Sequence, residues 1–265
     1  MNIICDKTLL SAAIDGVSKA VTLRSTIPVL EGILLKAEGF QLTLTGYDLE
    51  MGIVTTIEAN IKEPGEIVLN AKLLSSMISR MPAGQISIVA ADNGKTTIQS
   101  GVAQFEIQSM PATDFPDLPN TGAEQTLTIK TGVLRDMIDR TLYAVSQDEK
   151  KPAHTGELFE IELDKLTMVA LDGYRLALRT APIVNNGTEE KEIVVPARSL
   201  IEVARILPDD GEKATITFSR THLSATGGDV KIIARLMEGD FIKYKQILPN
   251  EHMTRVRVNR KELLD

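Results

Sequence analysis

PVLEGILLKAEGFQLTLTGYD, residues 28–48, returns 124 residues later as PAHTGELFEIELDKLTMVALD, residues 152–172, with seven of 21 positions identical. A second block, residues 66–82, returns after 126 residues as residues 192–208, with six of 17 positions identical. Separated blocks that keep nearly one register in one order indicate a duplication with a domain-sized period, too long for a solenoid repeat. The shift of 126 also places Gly101, Ile107, Asp114 and Phe115 on Gly227, Ile233, Asp240 and Phe241.

Each copy shows the same succession of predicted elements. An alternating strand opens the copy, a helix-period segment follows, and strands come next. A second strand–helix unit and further strands complete it, one pair turning at Asp92-Asn93-Gly94. Two strand–helix–strands units per copy, with few helices and many antiparallel strands, predict an α+β fold. The predicted helices are residues 8–21, 71–81, 131–145 and 197–207.

The duplication divides the 265 residues into two domains and a remainder. Pro116 to Gln125 contains Pro, Asp, Asn and Gly and is the predicted linker. In the tail, Val256-Arg257-Val258 leads to Leu263 with the strand-to-helix spacing that opens both copies, which indicates the start of a third copy. We therefore predict domains at residues 1–120 and 121–249, and the beginning of a third domain at 250–265.

The composition is that of an ordinary globular protein, with 43% hydrophobic and 25% charged residues. No apolar run approaches the roughly 18–20 residues of a membrane span, so we expect no membrane partner. The N-terminus lacks the basic and apolar regions of a signal peptide, and Cys5 is the only cysteine. A chain without an internal disulfide fits a reducing compartment, and the predicted location is cytoplasmic.

Charge is distributed unevenly between the predicted helices and the rest of the chain. The four helical segments contain seven bases and four acids, a sum of +3, whereas the whole chain carries −7. The remainder therefore carries −10. Solvated helix faces commonly carry Lys and Arg, which is one explanation. The other is a shared helix face that meets a polyanion, because phosphate contact requires only positive charge at the right distance.

The sequence contains none of the motifs that usually mark a catalytic or cofactor site. Glycine-rich phosphate loops, H-E-x-x-H and nucleophile-elbow patterns are missing, and the three histidines lack metal-ligand spacing. Cys5 lies in an alternating strand, where a buried inert thiol is the simpler interpretation. We therefore expect no catalytic residues, no metal and no cofactor.

Several passages resemble the bacterial sliding clamps, the beta subunits of DNA polymerase III. They include RSTIPVL at 24–30, LTLTGYDLE at 42–50 and MPATDFP at 110–116. VALDGYRLA at 169–177 and the stretch from VVPAR at 194–198 to Leu248-Pro249 continue the likeness, which covers essentially the whole chain in order. The resemblance implies a DNA-clamp fold, in which tandem domains place their helices on one face and their antiparallel sheets on the other.

The resemblance also implies a function without chemistry of its own. A sliding clamp closes head to tail into a ring around double-stranded DNA, independently of sequence, and tethers the replicative polymerase after a clamp loader has placed it. Weak, delocalised phosphate contacts suit such sliding. The positions that match DNA-facing residues of the family are Arg24, Lys72, Arg80, Arg198 and Arg205.

A second implied site is an apolar pocket for short peptides of polymerases, the loader and repair proteins. The chain departs from many relatives at Tyr174 and in Phe241-Ile242-Lys243, where they carry His and Phe-Pro-Asp. A few apolar anchors and one polar contact from Arg175 would hold an extended peptide there. The matching positions are His154, Leu171, Gly173, Tyr174, Arg175, Leu176, Ile242, Gln246 and Ile247.

Alternatives remain open from the sequence. The chain is either a fragment of a three-domain protein, which would close as a homodimer, or a shorter protein whose two domains would close a six-domain ring as a trimer. A peptide-binding scaffold without DNA encirclement is the rival function, although it leaves the basic helices unexplained. An enzyme with an unrecognised site is the third class.

Overall fold

The fold was analysed in a computed structural model, which describes residues 1–122, 125–187, 190–208, 211–249 and 251–264. Ala123 and Glu124 of the predicted linker lie outside the described residues. The first copy contains nine strands and two helices, with short 3₁₀ turns at Ser18–Ala20, Pro28–Glu31 and Ala112–Asp114. Its elements are β1 (Asn2–Asp6), α1 (Lys7–Val17), β2 (Gly32–Glu38), β3 (Gln41–Tyr47), β4 (Met51–Glu58), β5 (Asn60–Glu63), β6 (Gly65–Asn70), α2 (Ala71–Arg80), β7 (Gln85–Ala90), β8 (Lys95–Ser100) and β9 (Ala103–Gln108).

The second copy repeats this element order, and one further short helix, α5 (Arg260–Leu264), follows it. Short 3₁₀ turns lie at Leu142–Ala144, Pro152–Thr155 and Tyr244–Gln246. The elements of the second copy are β10 (Gln125–Lys130), α3 (Thr131–Thr141), β11 (Gly156–Ile161), β12 (Lys165–Leu171), β13 (Leu176–Pro182), β14 (Val184–Asn185), β15 (Lys191–Pro196), α4 (Ala197–Ile206), β16 (Lys213–Phe218), β17 (His222–Gly227) and β18 (Val230–Arg235).

The order of strands in the sheets is the same in both copies. In the first copy the strands run β5-β1-β7-β8-β9 and β4-β3-β2-β6, and in the second they run β14-β10-β16-β17-β18 and β13-β12-β11-β15. All neighbouring strands are antiparallel. The α+β fold of tandem repeated domains is therefore confirmed.

The two copies join through backbone hydrogen bonds between strands. β18 of the second copy pairs with β4 of the first, from Val230 opposite Thr55 to Ala234 opposite Met51. This junction fuses five strands of the second copy and four of the first into one nine-stranded sheet. β9 of the first copy is equivalent to β18, and β13 of the second copy is equivalent to β4. Each of these two strands ends its sheet in the described part of the chain.

The helices form where local signals and apolar spacing agree. Asp6 caps α1 by accepting the backbone N–H groups of Thr8 and Leu9, and Asn70 caps α2 by accepting that of Leu73. The helices bury one stripe each; in α1 it consists of Leu10, Ala13, Ile14 and Val17.

The hydrophobic core is shared by both copies. One cluster of buried side chains extends from Ile3 and Leu10 in the first copy to Leu200 and Phe218 in the second. Gly46 shows how tightly α1 packs on β3, because a Cβ there would lie 2.2 Å from the Val17 carbonyl oxygen.

The strand expected at the start of the third copy is not formed. Residues 256–258 are exposed and carry no regular secondary structure, whereas the helix expected after them is present as α5. A strand forms only where its backbone groups meet a neighbouring strand, and the sequence spacing alone does not supply one. None of the helices in the described part of the chain has the length and hydropathy of a membrane span.

Candidate functional sites

The four long helices form one continuous layer. α1 packs against α2, and α3 packs against α4. The Arg135 guanidinium ties the second pair together by donating to the carbonyl oxygens of Ala204 and Leu207, at 2.8 and 2.6 Å. The two pairs meet where Arg198, in the first turn of α4, donates to the Lys19 carbonyl just after α1, at 3.2 Å. The order across the layer is therefore α2, α1, α4, α3.

Three of the predicted DNA-facing side chains present unshared positive charge. Arg24, Lys72 and Arg80 are exposed, and within the described ranges none of them pairs with a carboxylate. Lys72 and Arg80 belong to α2, and Arg24 lies in the loop that follows α1. This cationic surface is therefore concentrated in the first copy.

The other two predicted side chains are exposed but already paired. The Arg198 guanidinium lies 2.6 Å from the carboxylate of Asp48, a side chain that is only 4% exposed. Asp48 belongs to the first copy, so this ion pair connects the copies. Arg205 pairs with Glu202 on the same helix at 3.2 Å. Each neighbouring carboxylate reduces the charge that these arginines present to a phosphate.

Lys19 belongs with this surface, although sequence reasoning did not single it out as a DNA contact. It is exposed and lines a groove of about 470 Å³ between the end of α1 and the start of α2, together with Lys72. Ser18, Ser75 and Ser76 add hydroxyl groups to the same groove. In the sequence, Lys19 lies four residues after Asp15, which also lines the groove. This spacing puts both side chains on one face of a helix and was the signal that could have identified Lys19.

Several predicted peptide-binding residues surround a second apolar cluster. Side chains of the four-stranded sheet alternate, so that Phe159 faces the main core and Leu158 faces the opposite side. Leu171 is buried in the cluster on that opposite side, and Leu176 packs against it. His154 contacts Phe241 edge to face, with ring centroids 5.5 Å apart. The cluster comprises Leu158, Val169, Leu171, Val194 and Tyr244.

The turn after β12 displays two more predicted residues. Asp172 accepts the backbone N–H groups of Tyr174 and Arg175 at 3.0 and 3.1 Å. These backbone bonds, with the Arg175 guanidinium 2.9 Å away, hold the pKa of the Asp172 carboxyl below its usual value. Tyr174 is fully exposed, while the Arg175 guanidinium stacks 5.7 Å from the centre of the Tyr143 ring. Gly173 supplies the left-handed conformation of this turn, with φ of 92°.

The remaining predicted peptide contacts lie apart from this turn. Ile242 and Gln246 line a cavity of about 330 Å³ beside Glu160 and Glu192, next to buried Tyr244. Ile247 is 56% exposed. Of the predicted set, Leu171 and Leu176 belong to or pack against the apolar cluster, and Ile242 and Gln246 line a cavity together with its members Leu158 and Tyr244. Within the described ranges, no three His, Cys, Asp or Glu side chains converge as they would at a metal site.

Comparison with known proteins agrees with this architecture. The family model for the DNA polymerase III beta subunit, N-terminal domain, matches residues 1–119, and that for its central domain matches residues 128–243. The chain belongs to the beta sliding clamp family. The matches confirm the predicted function class, a DNA sliding clamp of replication, and the prediction that it is a non-catalytic subunit.

Individual relatives match over the length of the chain. The beta sliding clamp of Halalkalibacterium halodurans is 32% identical over 274 residues, covering 100% of this chain and 72% of the relative. The crystal structure of a DNA polymerase III beta subunit from Eubacterium rectale superimposes with a TM-score of 0.93 at 33% identity, covering 100% of this chain and 72% of that one. The sliding clamp of Bacillus subtilis gives a TM-score of 0.91 at 30% identity, covering 95% and 68%.

Proposed function

We propose that the chain forms part of a closed ring that encircles duplex DNA and tethers the replicative DNA polymerase. The observation that carries this proposal is the helix layer, in which the α1–α2 pair of the first copy and the α3–α4 pair of the second meet at the contact between Arg198 and Lys19. In the ring, residues 1–120 and 121–249 act as successive clamp domains and residues 250–265 begin a third.

The junction between the copies supports closure of the ring. β18 pairs with β4 at this junction, and the equivalent strands β9 and β13 end their sheets in the described part of the chain. Repeating one head-to-tail contact generates a closed ring when the rotation between successive domains closes on itself. The same edge-to-edge pairing at β9 and β13 would therefore continue the ring, as a homodimer for a chain of three domains.

DNA contact in this proposal depends on charge and not on base recognition. Arg24, Lys72 and Arg80 supply free cations, and Arg198 and Arg205 supply cations shared with carboxylates. Long flexible side chains on a helix surface reach phosphates without reading base edges, which permits sliding. The acidic remainder of the chain, which carries −10 within an overall charge of −7, keeps other surfaces from binding nucleic acid.

Retention on closed and linear DNA tests encirclement directly. The chain is loaded on nicked circular plasmid by the clamp loader, and retention is measured by gel filtration before and after the circle is linearised. We expect retention on the circle and release after linearisation, because only topology holds a ring. Equal retention on both forms would indicate ordinary binding, and no retention on either would favour the peptide-binding scaffold.

The contribution of the cationic groove is tested by charge reversal. Lys19→Glu combined with Lys72→Glu should shorten residence on circular DNA several-fold at low salt, and less at high salt, because phosphate contacts are screened. Lys62→Glu together with Lys36→Glu makes the same change of charge on the strands of the first copy and is the matched control. Equal loss in both double variants would show that net charge alone is responsible.

The proposed partners beyond DNA are proteins that carry short clamp-binding peptides: the replicative polymerase, the clamp loader and repair polymerases. The support for this site is the exposure of Tyr174 and Ile247, each three residues after a member of the buried apolar cluster, Leu171 or Tyr244. Exposed apolar side chains rimmed by polar groups favour peptide anchors. The single cysteine and the replication role support a cytoplasmic location.

A further inference from the structure

The outer face of the four-stranded sheet changes from apolar to acidic along its strands. Leu158 on β11 lies opposite Val194 on β15, and both belong to the apolar cluster. Two residues further along, Glu160 lies opposite Glu192. Like charges directly opposite on neighbouring strands are unfavourable, because their Cβ atoms are only about 5 Å apart. A cation beside Glu192 would reduce this repulsion.

The two carboxylates are compensated unequally. Glu160 is nearly buried, and it accepts the Tyr244 hydroxyl at 2.6 Å and pairs with the Lys245 ammonium at 2.7 Å. Glu192 is exposed, and its carboxylate has no hydrogen-bond or ion-pair partner in the described part of the chain. Glu160, Glu190 and Glu192 line one cavity of about 330 Å³. Glu162, Lys191 and Lys245 line it as well, but Glu162 pairs with Lys165 and the Lys191 ammonium lies over the Phe218 ring, 5.1 Å from its centre. Negative charge is therefore left over on one side of the groove.

The glutamates also affect the pKa values of neighbouring groups. Hydrogen bonding to Glu160 raises the pKa of the Lys245 ammonium, and the charges of Glu160, Glu192 and Glu162 raise it further. Burial raises the pKa of the Tyr244 hydroxyl, and the same glutamates add to the effect. Such a surface repels phosphate and attracts cations.

The other side of the groove combines apolar side chains with Lys243 and with Lys245, the partner of Glu160. Leu158, Phe241 and Ile242 line an adjoining cavity of about 330 Å³, which shares Glu160 and Glu192 with the acidic one. Ile242 is 41% exposed, so an apolar side chain that entered would remove this surface from water. Apolar side chains on one side and the carboxylates of Glu190 and Glu192 on the other fit a ligand with one apolar and one cationic side chain next to each other.

We propose that this groove binds a linear peptide in which a Lys or Arg stands beside an apolar residue, the apolar side chain contacting Phe241 and Ile242 and the cation lying between Glu190 and Glu192. The inference rests on the proposed function, since Ile242 and Gln246 are also proposed peptide contacts. It adds a charge requirement: the chain selects, among clamp-binding peptides, those with a basic residue at this position.

The experiment uses a phage-displayed library of random dodecapeptides, panned on the full chain. The best binder and an analogue with its Lys and Arg changed to Gln are then synthesised, and their affinities are measured by fluorescence anisotropy. The proteins are the wild type, the double variant Glu190→Gln/Glu192→Gln, and Glu58→Gln, which removes one exposed negative charge in the first copy and serves as the control. Glu160 is left unchanged because it holds Tyr244 in place.

We expect selected peptides to carry a basic residue next to an apolar one. The Gln analogue should bind the wild type and Glu58→Gln about five-fold or more weakly, but should bind the double variant as well as the parent peptide does. Neutral or acidic selected peptides, or an equal effect of the analogue on all three proteins, would overturn the inference.

A separate variant distinguishes failure of the inference from failure of the proposed function. Tyr174→Ala removes an exposed ring of the peptide site without touching the acidic groove. Weaker binding of both peptides by this variant supports the peptide site, whatever the charge preference. Failure to select any peptide overturns both proposals, and a dimer that depends on Glu192 in sedimentation would overturn the groove as a peptide site.

Discussion

Glu157 is a buried carboxyl group at the position where the first copy carries Ile33, 124 residues earlier. It lies in the core side of β11 and is 0% exposed. The Thr141 hydroxyl donates to its Oε2 at 2.8 Å, and its Oε1 has no partner among the described residues. Burial raises the pKa of the Glu157 carboxyl to about 8, and the hydrogen bond from Thr141 offsets only part of that effect.

This carboxyl makes stability depend on pH. Because the folded-state pKa is raised, the folded chain keeps its proton while the unfolded chain loses it, so folding is penalised progressively from about pH 4.5 to about pH 8. The penalty grows by about 1.4 kcal/mol per pH unit and levels off above the folded pKa. Below about pH 4.5 both states are protonated and the penalty disappears.

Glu157→Gln should abolish this penalty. In chemical denaturation between pH 5 and 8, we expect the variant to gain free energy of unfolding over the wild type steadily as the pH rises. Subtracting one curve from the other removes the contribution of all other groups. A difference that stays constant across this range would contradict the assignment.

Leu49 and Gly173 are equivalent positions of the repeat and share an unusual backbone. Both have positive φ, 74° for Leu49 and 92° for Gly173, which glycine adopts freely and leucine only with strain. Gly173 has open space where a Cβ would lie, so only its backbone conformation limits which residues this position accepts. Gly173→Ala should lower the free energy of unfolding by about 1 kcal/mol, and Leu49→Gly should not lower it.

Thermal and urea denaturation of the two variants measure this pair of effects. A destabilised Leu49→Gly protein would show that the exposed Leu49 side chain contributes contacts that exceed its backbone strain.

At the scale of the elements, the ion pair between Arg198 and Asp48 fixes α4 of the second copy beside β3 and α1 of the first. Asp48 also accepts the backbone N–H groups of Glu50 and Met51, at 3.0 and 2.7 Å, so one buried carboxylate holds both a turn and a neighbouring copy. Its equivalent Asp172 pairs with Arg175 of its own turn. Arg198 therefore has a structural contact beyond its proposed role toward DNA.

Arg198→Met should loosen the junction. Removing the cation leaves Asp48 buried without its partner, and because Arg198 is 57% exposed we expect a modest loss, about 1–2 kcal/mol. Hydrogen exchange at the paired residues of β4 and β18 should accelerate. Arg205→Met, which removes an ion pair within one helix, is the control and should leave exchange at the junction unchanged.

At the scale of the whole molecule, the two copies share one core and one nine-stranded sheet. Domains linked only by a flexible segment often unfold separately, whereas a continuous sheet couples them. We expect the chain to unfold in a single calorimetric transition. Lys231→Pro, which places a residue without an N–H in β18 opposite Val54, should weaken this coupling and broaden or split the transition. Two transitions in the wild type would show independent copies.

The sequence alone determined the repeat, the order of elements and where the helices begin, because these depend on local patterns. α1 and α3 end at Val17 and Thr141, four residues before their predicted ends, because 3₁₀ turns follow them. The apolar spacing placed α2 and α4 to within one residue of their observed ends, and the Asp92-Asn93-Gly94 turn joins β7 and β8 as predicted. The repeated turn residues and the cationic helix faces were also readable, since each is a local pattern.

Only the tertiary structure decided what lies beside what. The Arg198 guanidinium meets the Lys19 carbonyl across 179 residues of chain. β18 pairs on one side with β17 of its own copy and on the other side with β4 of the first copy. Likewise, the unpaired Glu192 opposite Glu160 depends on strand register, and the missing strand at 256–258 depends on the lack of a neighbour. Such pairings are chosen by packing between distant segments, and composition or spacing within one segment carries no record of its partner.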